Sequence, residues 1–249
     1  SLAENASGSI TITAILPSKQ TTATLVNISI SGTGTASSDY SLSSTSITIP
    51  AGSSSGSITV STIDDSVYEG NETLVASIAS VSGSKAVVNG TQQVTITLTE
   101  DDAAPRVSLA VSGTSITEES GGSIVFTATM SAVASEAVSI PITISVSSSR
   151  SRAYSDYAQE LTIVIPAGST SGTTSFTPTD DNVYDGTATV TFSVGNVTGE
   201  GTVGNGVTVD PGASSAVVTV TETETAPTVT FASSVSSITE DASALTLTA

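Results

Sequence analysis

The sequence contains no histidine, cysteine or tryptophan among its 249 residues. Without His and Cys there are no His- or Cys-based nucleophile–base pairs, no thiolates, no disulfides and none of the usual zinc ligands. Aromatic residues make up only 4% of the chain, so a glycosidase with paired carboxylates would have no sugar platform. We therefore expect no enzymatic activity.

Positive charge and long apolar runs are also scarce. Five Lys and Arg stand against 23 Asp and Glu, for a net charge of -18. This balance argues against nucleic acid as a partner and against docking on anionic lipid, because both require a basic face. No apolar run reaches the ~18 residues of a membrane helix, so we expect no direct membrane insertion. Ser, Thr and Val dominate what remains, a composition typical of secreted all-β proteins.

The chain contains an internal repeat. The pattern of residues 47–68 recurs at residues 163–184, which is 116 residues later. The dipeptide Ala104-Pro105 recurs as Ala226-Pro227, which is 122 residues later. Convergent low complexity is the alternative, but Pro, Asp, Tyr and Glu match in register. We expect domain one at 1–103, domain two at 104–226 and the first strands of a third repeat at 227–249. The Ala-Pro junctions are short and stiff, because a residue before Pro is held extended.

Within each copy the apolar residues alternate with Ser and Thr. The run Ile10, Ile12, Ala14 shows this period of two, as does the run from Val138 to Val146. A period of two predicts half-buried strands, and Gly, Ser and Asp turns separate them. The sequence therefore predicts an all-β protein of tandem immunoglobulin-like antiparallel β-sandwiches, seven strands each.

The first copy shows six strands, because nothing in it corresponds to residues 106–111. The chain is thus either a window on a longer array or a subunit whose ends complement one another. In the first case the neighbouring repeat of the same chain supplies the strand. In the second case residues 228–232 add as a strand to domain one of an identical subunit.

The acidic residues recur at repeat positions at strand ends. Only Glu136, Glu160, Glu200 and Asp210 lie elsewhere. Loops that follow alternate strands of an antiparallel sandwich meet at one end, so we expect the acids to lie together. Crowded carboxylates repel, and Ca²⁺ resolves the repulsion with six to eight oxygen ligands in flexible geometry, whereas Mg²⁺ fits less well. The alternative is that these acids form turns through local hydrogen bonds. The Tyr residues beside them, at 40, 68, 157 and 184, are predicted to pack the ends of the sandwich.

The segment from Asp64 to Leu74 (DDSVYEGNETL) resembles the core of the Calx-beta motif, and Asp180 to Val190 is a weaker copy. An early Glu, the element from Thr35 to Tyr40, the IPAG turn and a final acidic run agree with it. The resemblance spans nearly the whole chain. It implies calcium bound by these acids. The implied metal ligands are Glu4, Asp39, Asp64, Asp65, Glu69, Glu100, Asp101 and Asp102 in domain one, and Glu118, Asp156, Asp180, Asp181, Asp185, Glu222 and Glu224 in domain two.

Domain two departs from the motif at two positions. Thr223 interrupts its final acidic run, and Ala188 stands at the position of Glu72, which we leave outside the ligand set. Domain one is therefore expected to bind calcium more tightly or in larger number.

Calx-beta domains occur in sodium–calcium exchangers, in integrin β4 and in long bacterial surface proteins. The resemblance implies a structural repeat of an extracellular adhesin, stalk or filament on the bacterial cell surface. Calcium would rigidify the domain junctions, and gliding-motility adhesins are one such setting. The alternative is a calcium-sensing or ligand-binding module. Many further copies in the flanking sequence would indicate a stalk, whereas a nearby transporter would indicate a sensor.

Overall fold

The alternating segments form strands throughout the computed structural model. The structure describes residues 1–4, 8–118, 121–147, 157, 159–180, 183–184, 186–199, 206–233, 240 and 247–248. The predicted ligands Asp156, Asp181 and Asp185 lie outside the described residues. Among those described, no helix is long and apolar enough to cross a membrane.

Domain one is built from two sheets. Its strands are β1 (Leu2–Ala3), β2 (Ser9–Ile15), β3 (Thr24–Gly32), β4 (Tyr40–Leu42), β5 (Ser46–Ile49), β6 (Ser55–Thr62), β7 (Val67–Tyr68), β8 (Glu72–Ser82) and β9 (Gln93–Thr99). One sheet has the order β1-β9-β8-β3-β5 and the other β2-β6-β4. Every pairing within these two sheets is antiparallel except β1 on β9.

Domain two is likewise built from two sheets. Its elements are β10 (Arg106–Val111), β11 (Ser115–Thr117), β12 (Ile124–Met130), β13 (Val133–Ala134), β14 (Val138–Ser147), β15 (Leu161–Ile165), β16 (Ser171–Phe176), β17 (Ala188–Val194), β18 (Thr198–Gly199), β19 (Thr208–Val209), a 3₁₀ helix (Pro211–Ala213) and β20 (Ser215–Thr221). One sheet has the order β16-β12-β10-β19, and the other β11-β20-β17-β14-β15 with β18 on β14. The all-β sandwich prediction is confirmed, and the short strands β1, β4, β7, β11, β13, β18 and β19 add to the predicted ones. After domain two, β21 (Ala232–Ser233) pairs with β22 (Leu247–Thr248).

The two cores differ in the residues that fill them. In domain two, the Phe192 ring lies 4.5 Å from Phe126 and 4.9 Å from Phe176 between centroids, and all three are fully buried. The core of domain one is mostly aliphatic, with Leu74 and Leu98 fully buried, and it includes the buried Tyr40. Each buried side chain of this size stabilises the fold by about 1.5–3 kcal/mol.

Candidate metal centre

One carboxylate organises the acidic end of domain one. Glu100 Oε2 accepts hydrogen bonds from the backbone N–H of Glu69 (2.5 Å) and Gly70 (2.7 Å). Glu100 Oε1 accepts from Asp101 N (3.0 Å) and Asp102 N (2.8 Å). Gly70 has φ +74°, a conformation that favours glycine, and this turn places two successive N–H groups on one oxygen. Glu100 therefore ties the loop at 69–70 to the start of the segment that leads into domain two.

Glu222 repeats this arrangement in domain two. Its Oε2 accepts from Gly186 N (3.0 Å), and its Oε1 accepts from Thr223 N (3.0 Å) and Glu224 N (3.2 Å). Gly186 also has a positive φ, of 79°. The same local fold therefore holds the acidic end of each domain.

Domain one brings its acids together in two triads. Glu4, Glu100 and Asp101 each offer a carboxylate oxygen, and these oxygens lie within 4.8 Å of one another. Asp39, Glu69 and Glu72 form the second triad by the same measure. Glu4 and Asp39 are buried. Glu72 was outside the predicted ligand set, although its position at the first residue of β8 points it to the same end of the sandwich as Asp39.

The crowding in these triads changes the protonation of their members. Burial, followed by the charges of Glu100 and Asp39, raises the pKa of Glu4 to about 7. Burial and the neighbouring carboxylate of Asp39 raise the pKa of Glu69 to about 7 and that of Glu72 to about 8. Burial acts to raise the pKa of Asp39 as well, but hydrogen bonds from Ser38 and Thr35 N outweigh it, and the pKa is lowered. Without a cation, Glu4, Glu69 and Glu72 therefore bind protons near neutral pH, because their crowded and buried carboxylates disfavour the charged form.

Domain two contributes one triad among its described residues. Oxygens of Glu118, Glu222 and Glu224 lie within 4.8 Å of one another. Tyr157 Oη donates a 2.6 Å hydrogen bond to Glu118 Oε1, and both side chains are buried. The hydrogen bond with Glu222 raises the pKa of Glu224. Thr223, which interrupts the acidic run, does not prevent Glu222 and Glu224 from meeting.

Four predicted ligands lie near the triads but outside them. Asp65 Oδ1 accepts a 2.7 Å hydrogen bond from Val67 N, as the turn-forming alternative predicts. Burial, the charges of Glu100 and Asp101, and then those of Asp65 and Asp64, raise the pKa of Asp102. Asp180 contributes in the same way to the raised pKa of Glu224. These acids add negative charge around the triads, and among the described residues none of the four belongs to a group of three close carboxylate oxygens.

The acidic loop of domain one, residues 63–71, also contacts domain two. Strand β7 pairs in parallel with β13 of domain two, with Tyr68 opposite Ala134, and Ser135 N donates to Tyr68 O at 3.1 Å. The Tyr68 side chain packs against the core of domain two. The structure therefore differs from the expectation that this tyrosine packs the end of its own sandwich.

The donor set fits a hard divalent cation. All the grouped ligand atoms are carboxylate oxygens, which Ca²⁺ prefers. Two oxygens bound to one Ca²⁺ at about 2.4 Å can lie no more than about 4.8 Å apart, and the oxygens of each triad lie within that distance of one another. Glu72 Oε2 is buried and has no hydrogen-bond partner, so one acceptor of the second triad is available to a cation.

One protein-family model covers nearly the whole chain in two successive copies. The family model for the Calx-beta domain matches residues 3–102 and again residues 100–224. Among solved structures, the crystal structure of CBD12 from CALX1.2 is 14% identical with a TM-score of 0.36, covering 88% of this chain and 94% of that one. The calcium binding domain CBD12 of CALX1.1 is 16% identical with a TM-score of 0.34, covering 78% and 76%. The Yersinia pseudotuberculosis adhesin InvE is 13% identical with a TM-score of 0.38, covering 89% and 56%. Among curated proteins, no sequence matches significantly.

Proposed function

Since the chain belongs to the Calx-beta domain family, we propose that it is a non-catalytic structural repeat segment of an extracellular adhesin, stalk or filament on a bacterial surface. Calcium at the acidic end of domain one holds successive domains at a fixed angle. One observation carries this proposal: the loop that presents Glu69 to the triads also presents Tyr68 to the core of domain two. An ion that orders this loop therefore acts on the junction directly.

Two groups of residues would hold calcium in domain one. They are Glu4, Glu100 and Asp101 in the first triad, and Asp39, Glu69 and Glu72 in the second. A bound ion supplies two positive charges to carboxylates that otherwise repel one another. Glu100 keeps the loop and the segment before Ala104-Pro105 in one arrangement through its backbone hydrogen bonds. The hinge between the domains is thereby tied to the metal centre.

Charge and composition support an extracellular setting for this role. A net charge of -18 keeps a long repeat chain soluble and apart from its copies. The sandwiches resist extension through their cores, and few Lys and Arg leave few sites for basic-specific proteases. We infer a role in adhesion or gliding from these properties together with the family.

The test is small-angle X-ray scattering on the full chain in calcium and after chelation. We expect a narrower distribution of interdomain distances in calcium, and a broader one in chelator or in the double variant Asp101→Ala, Asp102→Ala. Circular dichroism should be the same in both conditions, because the cores do not depend on the ion. A scattering profile unchanged by the chelator would contradict the proposal, as would a double variant that behaves like the parent in calcium.

A further inference from the structure

A buried tyrosine of domain two donates a hydrogen bond to one of the grouped acids. Tyr157 Oη lies 2.6 Å from Glu118 Oε1, although the two residues are 39 positions apart in the chain. Tyr157 is 1% exposed and Glu118 is 9% exposed. A distance of about 2.5–2.7 Å is characteristic of a hydroxyl that donates to a carboxylate, and such bonds are stronger than those between neutral groups. The pair is therefore a strong contact that is largely excluded from solvent.

The core of domain two fixes the position of this hydroxyl. The Tyr157 ring lies 6.4 Å from the Phe176 ring between centroids, and the Phe176 ring lies 4.9 Å from that of Phe192. All three rings belong to the buried core of the domain. A tyrosine side chain has only two torsions, so a ring held in a close-packed core leaves its hydroxyl in one place.

The acceptor of this bond is a member of the domain-two triad. Glu118 comes directly after β11, whereas Glu222 and Glu224 follow β20, and oxygens of the three carboxylates lie within 4.8 Å of one another. The backbone N–H of Gly186 holds Glu222 from outside the triad. The Tyr157 hydroxyl holds Glu118 in the same way, so acids from two different segments are each fixed by a neutral donor.

In domain one, the counterparts of this pair have different neighbours. The internal repeat aligns Tyr40 with Tyr157 and Glu4 with Glu118. Burial, followed by the charges of two second-triad carboxylates, raises the pKa of Tyr40. Burial, followed by the charges of other carboxylates, raises the pKa of Glu4. Within the described part of the chain, only domain two joins the tyrosine to this glutamate by a hydrogen bond.

We propose that Tyr157 is a positioning residue of the domain-two centre, whose hydroxyl holds the Glu118 carboxylate beside Glu222 and Glu224 before an ion binds. Three carboxylates at this spacing repel one another, and a neutral donor that fixes one of them keeps the free site close to its bound arrangement. A site organised in advance binds its ligand more tightly, because less freedom is lost on binding. This role for Tyr157 rests on the proposed function, since it requires calcium binding by the acids of these domains, but it concerns domain two rather than the junction.

The test is a calcium titration of the full chain followed by two-dimensional amide NMR. The amides of Gly186 and Gly70 each donate to the glutamate that organises the acidic end of their domain, so each signal reports one centre. Tyr157→Phe keeps the ring and removes only the hydroxyl. It should move the midpoint of the Gly186 response to at least about tenfold more calcium and leave the Gly70 midpoint unchanged. Tyr40→Phe, which removes the same atom from the counterpart in domain one, is the matched control and should not move the Gly186 midpoint.

A second variant separates positioning from a general effect on the core. Glu118→Gln should weaken calcium binding at domain two, and adding Tyr157→Phe should weaken it no further, because the hydroxyl acts through Glu118. An unchanged Gly186 midpoint in Tyr157→Phe, or losses that add in the double variant, would overturn the role of Tyr157.

The parent chain separates this role from the junction proposal. A parent whose Gly186 signal does not respond to calcium would overturn the role of Tyr157, whereas a response of Gly70 in the same spectra would still support calcium at the acidic end of domain one. A parent in which Gly186 responds and Gly70 does not would contradict the junction proposal, and a Gly186 midpoint that moves in Tyr157→Phe would still support the role of Tyr157.

Discussion

The phenol oxygen of Tyr68 in domain one lies 1.6 Å from the position that a Cβ on Gly206 of domain two would occupy. No side chain larger than hydrogen is compatible with this contact, because real Cβ atoms do not approach another atom so closely. Tyr68 also forms the backbone bridge to β13, so its ring and its main chain both attach domain one to domain two. Tyr68 therefore contributes to the junction through both its side chain and its backbone.

Gly206→Ala should displace the Tyr68 ring and loosen the junction. We expect a broader interdomain distance distribution by small-angle scattering even in calcium, with little change in the unfolding temperature of domain one. Gly113→Ala is the matched control, because its Cβ would meet only Ile124 Cδ1, at 3.5 Å. If the Gly206→Ala profile matched the control, the Tyr68 contact would not be what positions the domains.

Glu72→Gln should weaken calcium binding to domain one by at least about tenfold, the scale known for groups that support a metal site. The same change should leave the fold in chelator at least as stable as the parent, because burial disfavours the charged form of Glu72 and raises its pKa to about 8. Isothermal titration calorimetry and thermal unfolding measure the two effects. Glu160→Gln, an exposed acid outside the triads, is the control and should change neither. Calcium affinity unaltered by Glu72→Gln would remove this residue from the second triad's ligands.

Glu100→Gln and Glu222→Gln should have unequal effects on total calcium binding. Glu100 supports the domain with two triads, whereas Glu222 supports a domain with one triad among its described residues. We expect Glu100→Gln to lower the stoichiometry more than Glu222→Gln does, as measured by calorimetry on the full chain. An equal loss from the two variants would show that the domains bind alike despite Ala188 at the position of Glu72.

Phe192→Ala should destabilise domain two selectively. Its ring contacts those of Phe126 and Phe176 in a fully buried cluster, so its loss should cost about 3–5 kcal/mol. Differential scanning calorimetry of the full chain should show the domain-two transition moving to lower temperature while the domain-one transition stays in place. Val217→Ala, at a half-exposed position of β20, should leave both transitions nearly unchanged. A single transition that shifts as a whole would mean that the two domains unfold as one unit.

Local patterns predicted most of the fold. Alternation with a period of two gave strands where it occurs, since residues such as Ile58 and Val60 must share one face of a pleated sheet. The internal repeat allowed the second domain to be predicted from the first. The short parallel pairs were not predictable, because β1 and β11 each consist of a few residues whose partners lie about a hundred residues away.

The candidate site was predictable as a region but not atom by atom. Motif positions indicated that the acids gather at strand ends, and the triads lie there. Whether a given carboxylate points into a triad depends on turn geometry. Asp65 directs an oxygen to Val67 N, whereas Glu72, which follows a glycine turn, directs one into a buried space.

By itself the sequence determined the class of fold, the repeat length, the acidic character and the absence of soft metal ligands, because each follows from residue type and spacing along the chain. Only the tertiary structure decided that Glu72 joins Asp39 and that Tyr68 packs against the core of domain two. These are relations between residues far apart in sequence. They depend on how sheets twist and turns close, so they become visible only when the packing is known.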